Sequence, residues 1–177
     1  MVKKFLKFLA YSIFFLFALI VFIPKSSLYF LMEHNIKPLG VVISNETLHE
    51  NLFSLDVQHA AVSVKGVDAA AVKKAHITLL GLYNKVTLQD ITLSSMAASF
   101  VPLHIEGAEV KYSVIDPFNI HGYAKGDFGE VRMEFNLKDL HLRASMHPSK
   151  LMVQKYRSSL REFKKAKNGE YVYDKAL

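Results

Sequence analysis

The chain predicts a mainly β fold with α elements: a single transmembrane helix, then a curved antiparallel sheet of meander, half-barrel or jelly-roll type, then a C-terminal amphipathic helix. Three observations predict it. Residues 8–23 form a sixteen-residue apolar run interrupted by nothing more polar than Ser12. Across residues 40–147 apolar and polar side chains alternate with the two-residue period of half-buried strands. After Pro148 the period lengthens to that of a helix, with Met152, Tyr156, Leu160 and Phe163 on one stripe.

With Phe5 and Leu6 added, the apolar span is about nineteen residues, roughly 28 Å of helix, close to the thickness of a bilayer hydrocarbon core. Lys3, Lys4 and Lys7 precede it, and Pro24-Lys25 ends it. A cleaved secretory signal shares that opening, but its cleavage site needs small residues, and here the exit reads Val21-Phe22-Ile23-Pro24-Lys25-Ser26-Ser27. Residues 1–25 are therefore expected to be a cytoplasmic stub and a retained anchor. The lysine bias keeps the N-terminus in the cytoplasm and puts everything after Pro24 on the far side. A buried helix of a soluble protein would need partner segments around every face, and the remaining chain offers none.

Residues 26–39 read as a short membrane-proximal helix. Leu28, Leu31 and Met32 share a stripe, Ser26 or Ser27 is placed to cap the start, and Tyr29 and Phe30 suit the membrane interface. Asn35, Pro38 and Gly40 signal its end.

Residues 40–147 form the sheet domain, read as roughly eight strands. Phe53, Leu55 and Val57 give one apolar row; Ile77 and Leu79, then Val86 and Leu88, give others across a turn at Tyr83-Asn84-Lys85. Val101, Leu103 and Ile105 continue the alternation, as do Val110, Tyr112 and Val114. After the Asp116-Pro117 break come Phe118, Ile120, Gly122 and Ala124, then Val131, Met133, Phe135 and Leu137, which pair with Leu140, Leu142, Ala144 and Met146 around Lys138-Asp139. Lys65-Gly66 and Gly126-Asp127-Phe128-Gly129 are spaced as hairpin turns. One apolar face of an antiparallel sheet must be covered. Residues 148–177 supply a basic amphipathic helix over 149–167, stopped by Asn168-Gly169, and a tail with the makings of a short edge strand.

Composition closes off several function classes. The formal charge is +6, yet residues 26–147 hold ten Lys/Arg against thirteen Asp/Glu, so the sheet body lacks the basic groove that nucleic acid requires. No cysteine is present, which removes disulfides, thiolate ligands and thiol nucleophiles. Among eight histidines, His59, His76, His104, His121 and His141 fall on different strands, without the spacing of a metal motif. The acidic pairs Glu106/Glu109 and Glu130/Glu134 read as the wet face of the sheet, and no nucleophile elbow or phosphate-cradling glycine loop occurs. The expectation is a chain with no catalytic residue, metal or cofactor.

The layout resembles component N of bacterial type II secretion systems and the wider AsmA-like group. The resemblance rests on residues 23–31 at the membrane exit, the segment around Leu103-His104-Ile105-Glu106-Gly107-Ala108, and Gly126-Asp127-Phe128-Gly129-Glu130-Val131 followed by Asn136-Leu137-Lys138-Asp139. It implies a non-enzymatic scaffold or assembly component, anchored in the bacterial inner membrane with its main domain in the periplasm. Its partners would be the bilayer and other envelope or secretion-system proteins. The alternative resembles the lipopolysaccharide-transport bridge component C, a periplasmic lipid carrier with an apolar β-groove. Such a groove would be lined by Val110, Tyr112, Phe118, Ile120, Met133 and Phe135.

Overall fold

The computed structural model describes residues 2–166 and 169–176. Helix α1 spans Val2–Phe22, and its stretch Lys3–Phe22 is long and apolar enough to cross a membrane, with none of the apolar window buried in the protein. Pro24, lacking an N–H and held at φ −65°, separates it from α2, Lys25–Ile36. Neither serine caps α2. The carboxylate of Glu50 does so from the sheet, accepting the Lys25 N–H at 2.8 Å and the Ser26 hydroxyl at 2.7 Å. Those bonds, the Ser26 hydroxyl first, hold the Glu50 carboxyl below the ordinary carboxylate range.

Eleven strands follow: β1 Val41–Ser44, β2 Thr47–Glu50, β3 Ser54–Val64, β4 Val67–Leu79, β5 Tyr83–Leu93, β6 His104–Ser113, β7 Asp116–Gly126, β8 Gly129–Asn136, β9 His141–Pro148, β10 Lys164–Lys165 and β11 Tyr171–Ala176. They make one open antiparallel sheet in the order β1-β3-β4-β5-β6-β7-β8-β9-β11-β10, with β2 also on β3. The meander runs from β3 to β9. Two local readings are corrected. The turn expected at Tyr83-Asn84-Lys85 lies at residues 80–82 and Tyr83 already begins β5, while Val101 and Leu103 lie in the connection before β6 rather than on a strand.

Cross-strand register sorts the side chains cleanly. One apolar row reads Leu48, Val57, Ala75, Leu88, Ala108, Ala124, Val131, Met146 and Tyr171, each opposite the next. The next row along the strands is Ala60, Val72, Ile91 and Ile105. Within β3, β4, β5 and β6 these two core positions are three residues apart, where strict alternation would make them two. Each strand therefore carries one additional residue at the same level. His59, Lys73, Asp90 and Glu106 fall out of the ladder there, with His59 and Asp90 in the left-handed region at φ 59° and 52°. The aligned irregularities keep the apolar side on one face.

Two helical segments cover parts of that face. Tyr29 of α2 is 5% exposed and packs with Leu55, Val57, Ala60, Val72 and Ile91. Burial, with the negative charges of Glu46 and Glu33 behind it, pushes the Tyr29 hydroxyl up to about 12. Tyr29, expected with Phe30 at the membrane interface, is thus turned onto the sheet, and Lys25 is buried, while Leu28, Phe30, Leu31 and Met32 are exposed. At the other flank, Met152, Tyr156 and Leu160 are buried with Phe128 and Met146.

That second cover is much shorter than the 149–167 helix the sequence suggested. Helix α3 spans Lys150–Lys155, capped by Ser149, whose hydroxyl accepts the Met152 N–H at 3.1 Å. Tyr156 leaves helical geometry at φ −116°, ψ 30°, and Arg157–Leu160 tighten into a 3-10 turn. Ser158 and Ser159 are weak helix formers, and the Ser159 hydroxyl donates to the Phe100 carbonyl at 2.6 Å. Lys164 and Lys165 then pair with Val172 and Tyr171, which commits the backbone to the sheet. The expected stop at Asn168, like Lys167, lies outside the described residues.

Leu55 is fully buried between α2 and the sheet. Leu55→Ala is expected to cost about 2–5 kcal/mol. Leu39→Ala, at a residue 69% exposed, should stay within about 0.5 kcal/mol. Denaturant unfolding of the detergent-solubilised chain checks both.

Candidate functional site

The six residues singled out from the sequence stand on three adjacent strands, β6, β7 and β8, and on one face. Val110 is opposite Gly122, which is opposite Met133; Tyr112 is opposite Ile120, which is opposite Phe135. Phe118, two residues before Ile120, shares their side. All six lie outside both core clusters among the described residues. Val110, Phe118 and Met133 are exposed, while Tyr112, Ile120 and Phe135 are half-buried.

Where the cover stops explains their exposure. Ala124 of β7, Val131 of β8 and Met146 of the next strand, β9, support Met152, Tyr156 and Leu160. The C-terminal segment therefore roofs only the half of the face near the 127–128 turn, and the half towards residues 114–115 is left bare. Its floor is shaped by Gly122: a side chain there would meet Met133 Cε at 2.9 Å, so the methionine lies across the glycine. Leu142 extends the Tyr112, Ile120, Phe135 row to β9, and Lys175 ends it on β11.

The opposite face is polar. A shallow cavity of about 470 Å³ opens there, lined by Glu109, Lys111, His121, Tyr123, Arg132, Glu134, Arg143 and Ser145 among others. Charges of both signs pair across neighbouring strands. Lys85 meets Glu109 at 2.8 Å, which raises the lysine above its ordinary range, and Arg143 meets Asp174 at 3.0 Å. His76 contacts Asp56 at 2.5 Å and His141 contacts Asp174 at 2.7 Å in the same way, while His121 contacts Asp116 at 2.9 Å within β7. No group of three or more histidines and carboxylates among the described residues has metal-binding geometry. The cross-strand pairs tie strands together at an exposed surface and suit a wet face.

Sequence reading missed two features of this arrangement. The role of Glu50 had no local signal, because its partners are about 25 residues away in the chain. The aligned additional residues were detectable, since the apolar phase slips by one at 57/60, 72/75, 88/91 and 105/108. No protein-family model matches the chain, and no curated protein or solved structure matches it.

The carboxyls of Asp56, Asp116 and Asp174 are held below the ordinary carboxylate range, first by hydrogen bonds from His76, His121 and Arg143 respectively. A carboxyl depressed in the folded state contributes stability that is present above its unfolded value, about 3.9, and is lost as pH falls through the folded value. Between about pH 4 and pH 2 the unfolding midpoint should fall more steeply for the wild-type chain than for a D56N/D116N/D174N variant. Denaturant titrations at stepped pH measure the difference in slope.

Proposed function

We propose that this is a non-enzymatic, single-pass envelope protein that holds lipid acyl chains on the bare half of its sheet. On this reading α1 anchors it in a bacterial inner membrane, with the N-terminus cytoplasmic and the sheet on the periplasmic side. One observation carries the proposal. The uncovered apolar residues Val110, Tyr112, Phe118, Ile120, Met133 and Phe135 form one continuous surface in the half of the sheet that lies towards the anchoring helix. A soluble monomer gains nothing by leaving such a surface in water, whereas acyl chains match its apolar chemistry.

A scaffold role, as in secretion-system or AsmA-like assemblies, is the second reading, and the sheet edges favour it. The sheet is open, with β1 and β10 at its two margins, and an open edge can take up a strand of another envelope protein.

Mass spectrometry of the full chain, solubilised in mild detergent, separates the two. Stoichiometric phospholipid or lipopolysaccharide that disappears in a V110E/M133E variant supports the lipid reading. Retention of an envelope protein without lipid supports the scaffold. Because Val110 and Met133 are already exposed, at 44% and 39%, the variant should keep the wild-type unfolding midpoint.

A further inference from the structure

We propose that the sheet end made by the turns at residues 51–53, 80–82 and 114–115 is immersed in the lipid bilayer that holds α1, with Leu52, Leu82, Val114 and Ile115 as its apolar inserts. This rests on the reading of α1 as a membrane span. It adds a second membrane contact, made by the sheet itself.

Two fixed points set how far the end reaches. The Lys25 N–H binds the Glu50 carboxylate at 2.8 Å, so the end of β2 is level with the junction of α1 and α2. Three residues further along the chain, the Phe53 ring lies against the Phe17 ring with centroids 6.0 Å apart. Ile20 Cδ1 stands 3.9 Å from where a side chain on Gly81 would begin. From Lys25 back to Phe17 the helix travels about 12 Å. The Asn51 N–H donates to the Ser54 carbonyl at 2.8 Å, so residues 52–53 are the tip of the β2–β3 hairpin, and the Phe53 side chain completes the reach to Phe17. Phe17 and Ile20 belong to the stretch that must occupy hydrocarbon for α1 to cross. The turns that touch them are then inside the membrane to a similar depth.

The chemistry of the turns agrees with that position. Residues 79–84 and 112–115 carry no charged side chain. Leu52, Leu82 and Ile115 are 56%, 66% and 93% exposed. The turns are also joined to one another: the Leu79 N–H donates to the Phe53 carbonyl and the Val114 N–H to the Leu82 carbonyl, both at 3.0 Å. They form one rim. The bare half-face begins directly behind it at Tyr112 and Phe118, so lipid at the rim is in line with that surface. The charged turns lie elsewhere: Lys65 and Asp127 at the far end of the sheet, and Lys138 and Asp139 in the β8–β9 turn, which is at the same end but two strands beyond the 114–115 turn. Met96 and Phe100, each 65% exposed in the connection before β6, provide an apolar control remote from α1.

The chain contains no tryptophan, which makes single substitutions clean depth probes. Ile115→Trp, Leu82→Trp, Met96→Trp and Phe14→Trp are each reconstituted as the full chain in phosphatidylcholine and phosphatidylglycerol vesicles, with and without lipids brominated along the acyl chain. Immersion predicts that Ile115→Trp and Leu82→Trp lose most of their emission to brominated lipid, as Phe14→Trp does, while Met96→Trp keeps its own. Quenching of Phe14→Trp alone overturns the rim and leaves the anchor standing. Equal quenching at 96 and 115 overturns the rim as well, because the sheet would then lie flat on the bilayer. An unquenched Phe14→Trp removes the anchor reading, and the rim then survives only if positions 82 and 115 are quenched without it. All four sites are exposed, so the substitutions leave the core packing intact.

Discussion

Side-chain parity is the constraint on which this molecule depends. An open sheet of many strands can bury one face only if each strand delivers its apolar residues to the same side, and one residue too many inverts everything beyond it. In β3, β4, β5 and β6 the spacing between core positions is three, and the inversion is avoided because the four additional residues lie in register. His59 and Asp90 adopt left-handed backbone to absorb the surplus, and Lys73 pairs with Asp90 at 3.2 Å across the irregularity. The neighbouring strand β7 has no such residue, and its register against β6 shifts where the line ends.

Given one apolar face, the helical segments decide how much of it is hidden. α2 is fastened by Glu50 at its start and by Tyr29 on the core, which covers the early strands. The C-terminal segment covers the later strands with only three buried side chains, Met152, Tyr156 and Leu160, before the chain returns to the sheet as β10 and β11. A continuous helix over 149–167 would have been about 28 Å long, enough to cross a good part of the sheet. The short one is not. The uncovered region around Val110, Phe118 and Met133 is thus a direct consequence of where α3 ends.

The architecture was largely written in the amino-acid pattern, because periods of two and of 3.6 residues are properties of the backbone and need no tertiary information. The long apolar helix, the meander from β3 to β9, and the burial of Met152, Tyr156 and Leu160 all come from such periods. What escaped were features set by distant partners. Tyr29, which the pattern alone offers to the membrane interface with Phe30, is instead packed on the sheet core, while Leu28, Leu31 and Met32 stay exposed. Ser26 looked like a cap and instead donates its hydroxyl to the capping carboxylate. The helix over 149–167 was overextended because the period continued through residues whose backbone finds better partners in the sheet.

The apolar surface that these rotations and shortenings leave behind is not scattered. Leu28, Phe30, Leu31 and Met32 follow within three turns of the end of α1; Leu52 and Leu82 are next in the chain to Phe53 and Gly81, which stand against it; and the bare half-face begins next to Ile115. In water each of these would invite association between copies. Beside a membrane they share one apolar phase with α1, and no further covering element is needed. The charged pairs Lys85 with Glu109, His121 with Asp116 and Arg143 with Asp174 occupy the other face, where water can reach them. A protein built to stand clear of the bilayer on a tether would have no reason to bring its uncharged turns down to the level of Phe17, and that contact is what most favours a sheet seated in the membrane surface.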